Sequence, residues 1–212
     1  MNIAFIGAGN VGAPLAVRLA EAGHQVTLAE TKEGSASVAR ALERSAKLRA
    51  LPIAEALDDA DVVFLATPFP ANESLLPPLA EALRGKVLVD CTNPVGPGLS
   101  HGLASERSGS ALVQSLVPGA QVVKAFSIYG FENFADSSFP GHGDLRPAMP
   151  IAGDDADARR VVAGLCEQLG FAPLDCGPAA AALHLEHMTL LWIQLARAGG
   201  LGPHWTWARL TR

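Results

Sequence analysis

The chain has little with which to hold a polyanion. Of 212 residues, 16 are Lys or Arg against 21 Asp or Glu, a formal charge of −5, and no basic run breaks the pattern. Aromatic residues make up only 6%. General nucleic-acid binding is therefore excluded. Cysteine is scarce too: Cys91, Cys166 and Cys176 are odd in number and form no C-x-x-C pair. That excludes a disulfide scaffold and predicts reduced thiols in a cytoplasmic protein. No uninterrupted apolar stretch is long enough to cross a bilayer, so no membrane partner is expected. The first apolar run lacks the basic lead of a secretion signal, and none is expected. No Ser/His/Asp triad or pair of catalytic carboxylates is evident, and no catalytic acid or base is nominated.

Apolar residues are plentiful, at 49%, enough for a substantial core. Near the start runs FIGAGNVGAPLAVRLAEAGHQVTLAETK. Met1 to Ile6 reads as a buried parallel strand. Gly7, Gly9 and Gly12 then form G-x-G-x-x-G. Gly7 permits the tight turn, Gly9 lets backbone approach a pyrophosphate, and Gly12 lets the next helix pack close to the strand. That helix is predicted over Val11 to Ala22, with Pro14 tolerated in its first turn and Gly23 as its stop. A second strand, Gln25 to Ala29, follows. Strand, glycine turn, helix and strand in this order are the context a dinucleotide fingerprint requires.

The second strand ends Ala29-Glu30-Thr31-Lys32. Glu30 stands near the place where an acidic residue binds the ribose 2′-hydroxyl of NAD. Thr31 and Lys32 instead offer a hydroxyl and a cation suited to the 2′-phosphate of NADP. From the residues alone, both dinucleotides remain open. The plainest alternative makes Lys32 and Glu33 solvated loop charges.

Farther along, strand and helix patterns alternate, which argues for a doubly wound, mainly parallel sheet. Strands are predicted at Leu48 to Leu51, Asp61 to Ala66, Lys86 to Cys91, Gln121 to Phe126, Met149 to Ala152 and Phe171 to Asp175. Helices are predicted at Ser35 to Leu48, Leu75 to Leu83 and Ala179 to Ala198, with a further one between the last two strands that Asp154 could cap. Gly130 to Pro150 is rich in Gly, Pro and Ser and long for a connection, so it reads as a binding loop or lid. The expected division is a Rossmann domain over residues 1–128 and a small C-terminal α/β extension over 129–212, packed on the first.

Ligands of such sheets bind beyond the carboxyl ends of the strands. The candidates there are Gly7, Ala8, Gly9, Asn10, Val11 and Gly12; Glu30, Thr31 and Lys32; Ala66, Thr67 and Pro68; Asn93 and Pro94; and Ala125 and Ser127. Individually, each Thr or Asn could be a turn or a helix cap.

Several blocks, in order, carry a resemblance: GAGNVG, DVVFLATP, GKVLVDCTNP, VVKAF, PIAGDDADA, LGFAPLDCGP and LEHMTLLWIQLA. Over nearly its whole length the chain resembles the coenzyme F-420-dependent NADP oxidoreductase family, to which the oxidoreductase domain of the STEAP metalloreductases also belongs. The resemblance implies a Rossmann domain with a small C-terminal extension, a cofactor that is usually NADP(H), and often a homodimer. It implies hydride transfer between NADPH and a deazaflavin. It places Gly7 to Val11 on the pyrophosphate, Thr31 and Lys32 on the 2′-phosphate, and Ala66 to Pro68 with Asn93-Pro94 on the nicotinamide side. Glu30 stands where the family has a small or neutral residue, and Ser127 where many relatives carry Asn or His.

Hydride transfer between stacked rings needs orientation and a dry pocket rather than an acid or base. Lys124 is the lysine nearest a strand end, and packing or a salt bridge is its expected role. His184, Glu186 and His187 lie on the last helix, but nothing supplies a clear third metal ligand, and no metal is expected. Leu183, His187, Leu190, Leu191 and Gln194 make a stripe read as core plus interface. Phe131, Phe134 and Phe139 would cover a flat ring or form the loop's own core. The first expectation is an NAD(P)-binding oxidoreductase with a small-molecule, flavin-like hydride acceptor. The alternatives are an NADP(H)-sensing binding protein, whose side chains would fill the acceptor space, and a flavin or ferric reductase.

Overall fold

A computed structural model describes residues 1–32 and 34–212; the expectation for Glu33 lies outside them. Six strands form one sheet: β1 (Asn2–Ile6), β2 (Gln25–Glu30), β3 (Leu48–Pro52), β4 (Val62–Leu65), β5 (Val87–Asp90) and β6 (Gln121–Lys124). Their spatial order is β3-β2-β1-β4-β5-β6, with every pair parallel. This is the doubly wound Rossmann order, with its switch point between β1 and β4.

The short apolar strands force the layering. Alternate residues of β1 point to opposite faces, and both faces are buried. Ile3 and Phe5 join one core, Ala4 and Ile6 the other. Phe5 stacks on Phe64 of β4 with ring centroids 4.5 Å apart. Helices α1 (Gly12–Glu21), α2 (Ala36–Leu42), α3 (Ile53–Asp58), α4 (Asn72–Leu75) and α5 (Gly109–Leu116) occupy the connections.

The rest of the chain adds β7 (Ala148–Ile151), α6 (Ala156–Gln168), β8 (Ala172–Asp175) and α7 (Ala182–Ile193). β7 and β8 pair in parallel as a separate two-stranded sheet. A single antiparallel bridge between Lys124 and Ala152 joins it to the edge of β6. Arg18 of α1 reaches across to donate hydrogen bonds to the carbonyls of Phe134 and Leu169 and to Ser137 Oγ. Burial lowers its pKa.

The structure corrects four local expectations. The helix expected from Ser35 to Leu48 ends at Leu42, and chain up to Ser45–Lys47 turns into β3. The helix expected from Leu75 to Leu83 is broken: α4 stops at Leu75, and Pro77–Leu79 form a 3-10 turn, because two successive prolines remove backbone donors. Asp155, not Asp154, caps α6, accepting from the Ala158 N–H at 2.8 Å. Asp154 instead receives the Ala179 N–H at 2.9 Å. Finally, α7 buries Ala182, Leu185, Glu186, Thr189 and Trp192. The stripe read as core plus interface lies on another face and does not supply the core, with Leu191 49% exposed.

Candidate functional site

Gly7 and Gly12, after β1, take the turn and close-packing positions that their spacing predicts. Gly7 has φ +104°, and a Cβ there would lie 2.7 Å from the Ala66 backbone. A Cβ on Gly12 would run into the Gly7 carbonyl oxygen. These two residues close the turn against β4 and seat α1. Gly9 differs: a Cβ there would meet nothing within 4 Å. Its backbone, with the exposed Asn10 beside it, is an open cradle at the start of α1. Free N–H groups and the helix dipole favour an anion there. Ala8 is buried and Val11 half-buried. At the end of β2, Glu30 is half-buried while Thr31 and Lys32 are exposed. An open backbone cradle with a carboxylate, a hydroxyl and a cation one strand away fits a dinucleotide.

A cleft of about 290 Å³ lies farther along the same edge of the sheet, lined in part by Val11, Asn93, Ser127, Phe131, Thr189 and Trp192. Its floor is a tight polar knot. The Ser127 carbonyl accepts from Asn93 Nδ2 at 3.1 Å and from Thr189 Oγ1 at 2.7 Å. Ser127 is 4% exposed, and its Oγ has no hydrogen-bond partner among the described residues. A buried hydroxyl left unpaired beside a cleft calls for a partner from a ligand. Phe126, just before it, holds φ +53°, a conformation unfavourable for a bulky side chain. Its ring packs into a cluster with Phe64, Phe134 and Phe171.

Three phenylalanines of the long loop part company. Phe131 is 38% exposed at the cleft, and Phe134 is buried in that cluster. Phe139 lines a different cavity with His142 and Trp205. Trp192 lines the cleft and stacks on Trp205 of the C-terminal tail, centroids 5.7 Å apart, and Trp205 meets Trp207 edge-on at 5.0 Å. Pro94 belongs to a neighbouring cavity that contains Phe69 and shares Asn93. Ala125 is sealed in the core, while Ala66 and Thr67 are half-buried and Pro68 is exposed.

Behind the cleft lies a charged cluster that sequence reasoning missed. Lys124, at the end of β6, is 0% exposed. Its Nζ is 3.4 Å from Asp90 Oδ2 and 3.2 Å from Glu186 Oε1, and it donates to the Thr92 carbonyl. Asp90 also accepts from the Thr92 N–H at 2.9 Å, the Thr92 hydroxyl at 2.6 Å and the Ser110 hydroxyl at 2.5 Å. Glu186 accepts from His101 Nε2 at 2.8 Å, from the Gly109 N–H at 2.9 Å and from the Ser110 N–H at 3.3 Å. Lys124 thus has the salt-bridge role expected of it. The Glu186 carboxylate turns inward, whereas His184 and His187 are exposed and His187 meets Ser105 Oγ at 3.0 Å. The available signals were a charged residue at the end of the apolar strand VLVD and a glutamate in the apolar helix LHLEHMTLLW.

Fold and cradle together define a dinucleotide-binding α/β protein. A family profile described as "NADP oxidoreductase coenzyme F420-dependent" matches residues 2–94. The chain is 30% identical over 213 aligned residues to the "F420-dependent NADP reductase" of Methanothermobacter marburgensis, covering 92% of each chain. It is 31% identical over 190 residues to "Metalloreductase STEAP3" of Rattus norvegicus, covering 89% of this chain but only 36% of that protein. A crystallised protein of Arthrobacter sp. FB24, provisionally named an F420-dependent NADP reductase, superposes with a TM-score of 0.87 over all of both chains at 27% identity. The chain therefore belongs to the coenzyme F-420-dependent NADP oxidoreductase family, a family of oxidoreductases.

Proposed function

We propose that this protein transfers hydride between NADPH and a flat deazaflavin of the coenzyme F-420 type. The observation that carries the reading is the cleft itself. Its 290 Å³ stand open between Val11 and the aromatic residues Phe131 and Trp192, beside the unpaired Ser127 hydroxyl. Side chains do not fill it, which argues against a pure sensor.

The dinucleotide supplies a hydride from its nicotinamide when bound, and the deazaflavin accepts it together with a proton. The chain's part is orientation. The Gly7–Val11 backbone holds the pyrophosphate, with Gly12 seating α1 behind it. Thr31 and Lys32 hold the 2′-phosphate of NADPH, whereas Glu30 would serve the free ribose 2′-hydroxyl of NADH. Ala66, Thr67, Pro68, Asn93, Pro94 and Ser127 form the nicotinamide side, while Ala125, sealed in the core, does not reach it. Ser127 Oγ, able to donate and accept, suits a carboxamide. Phe131 and Trp192 flank the acceptor ring and exclude water.

Residues 1–128 then serve the dinucleotide and 129–212 supply the acceptor side, in a cytoplasmic protein. The exposed stripe around Leu191 favours pairing with a second copy as a homodimer. Among the described residues no helix is long and apolar enough to cross a membrane.

The test is turnover. Purified protein is mixed with oxidised F-420 and either NADPH or NADH, and the deazaflavin absorbance is followed. Rapid loss with NADPH is expected. No loss with either, but turnover of a free flavin, would replace the acceptor. Tight cofactor binding without turnover of any acceptor would favour the sensor.

A further inference from the structure

The buried cluster behind the cleft does not balance its charge. His101 Nδ1 accepts the backbone N–H groups of Leu103 and Ser105, at 3.3 and 3.2 Å. Its single proton therefore sits on Nε2 and is donated to Glu186, which makes the imidazole neutral. Every contact to the two carboxylates named above comes from a donor, so both are held as anions. Lys124 is the cation that meets both of them among the described residues. Two negative charges against one positive leave one in excess. The Gly109 and Ser110 amides at the start of α5 offset it in part, by about half a charge.

That excess has a directed path to the half-buried Thr67, in the turn after β4. The Thr92 hydroxyl gives its proton to Asp90, so its oxygen must accept from Asn72 Nδ2, at 3.2 Å. Asn72 Oδ1 in turn accepts the Thr67 hydroxyl proton at 3.1 Å. Every donor in this chain points inward, toward Asp90. The Thr67 hydroxyl, two residues past β4, is left with lone pairs alone. Hydrogen bonds aligned in this way polarise one another. The cluster also lies against the cleft wall through sequence neighbours. Cys91 and Asn93 flank Thr92, and Thr189 is one helical turn past Glu186; all three line the cleft.

We propose that the Asp90–Lys124–Glu186 cluster is an electrostatic bias on the nicotinamide side. Its uncompensated negative charge, relayed through Thr92 and Asn72 to Thr67, favours the oxidised, cationic nicotinamide over the reduced, neutral one. The cluster touches neither dinucleotide nor acceptor, so its members are positioning residues. A protein built this way favours NADPH as the hydride donor. The inference rests on the NADP(H) reading of the site.

The test compares the Kd of NADP+ with that of NADPH by titration calorimetry, in the wild-type protein and two variants. Asp90→Asn removes the excess charge. It should weaken NADP+ relative to NADPH by about tenfold, the effect of one charge roughly 10 Å away at an intermediate dielectric. Asn72→Leu cuts the relay without changing the charge, and should shift the ratio the same way by about two- to threefold. It keeps the test alive if Asp90→Asn does not fold. A purely structural role would move both affinities together, because the two ligands differ only by a hydride. An unchanged ratio in a folded variant that still binds both forms overturns the proposal. Wild-type protein that binds neither form overturns the NADP(H) assignment itself.

Discussion

The cradle at the end of β1 and the cluster behind β5 and β6 lie along one edge of the sheet but are built by opposite means. The cradle works because side chains are missing. Gly7 and Gly12 let backbone meet backbone, and Gly9 leaves a space open. The cluster works because side chains are present and almost completely paired. Lys124, Asp90 and Glu186 come from two strands and a helix, and each is at most 1% exposed. The lesson is one of fragility. An open cradle can lose a ligand contact and keep its fold, whereas a sealed cluster cannot lose a partner without stranding a charge.

The sharpest way to break the comparison is Lys124→Met. It leaves two carboxylates buried without their cation, and a loss of about 3–5 kcal/mol in denaturant unfolding is expected. A variant as stable as the parent would show that water or a protonated carboxyl replaces the lysine at little cost.

Next comes Gly12→Ala, which tests whether the cradle is as separable from the fold as its openness implies. The added methyl meets the Gly7 carbonyl, and backbone lies on both sides of that contact. About 3 kcal/mol of stability should be lost, near the upper end for overpacking, together with dinucleotide binding. Normal NADPH affinity in this variant would contradict the packing role of Gly12.

The smallest and most local effect belongs to Lys32→Ala. Thermal stability should be unchanged, because the side chain is exposed. NADPH binding should weaken by about 2 kcal/mol, as for loss of a charge-assisted hydrogen bond, with NADH unaffected. Equal losses for both dinucleotides would remove Lys32 from the 2′-phosphate. Glu30→Ala is its counterpart, expected to weaken NADH alone.

The same contrast explains what could be read from the chain before its structure. The cradle is local: three glycines, a strand before them and a helix after, all within about a dozen residues of β1. The strands β1, β4 and β5 are legible for the same reason, since each is a compact apolar run. The cluster is not local. Asp90 and Glu186 are joined through Lys124 and Ser110, and no spacing rule links residues so far apart. Helix α5, which provides two of the amides that hold Glu186, spans only the eight residues GSALVQSL, too short a window for a helical period to stand out. The core face of α7 is not legible because the helix is apolar nearly all round. Its true inward face carries Glu186 and Thr189, polar residues that find their partners only after folding.

The aromatic tail has one further consequence. The chain contains three tryptophans, and all three belong to the single stack of Trp192, Trp205 and Trp207 beside the cleft. Trp192 donates its indole N–H to the Trp205 carbonyl, so the ring that lines the cleft is tied to the tail. The intrinsic emission of this protein is therefore not an average over the molecule. It is a lamp fixed at one doorway, and whatever enters or leaves that doorway changes its colour and brightness first.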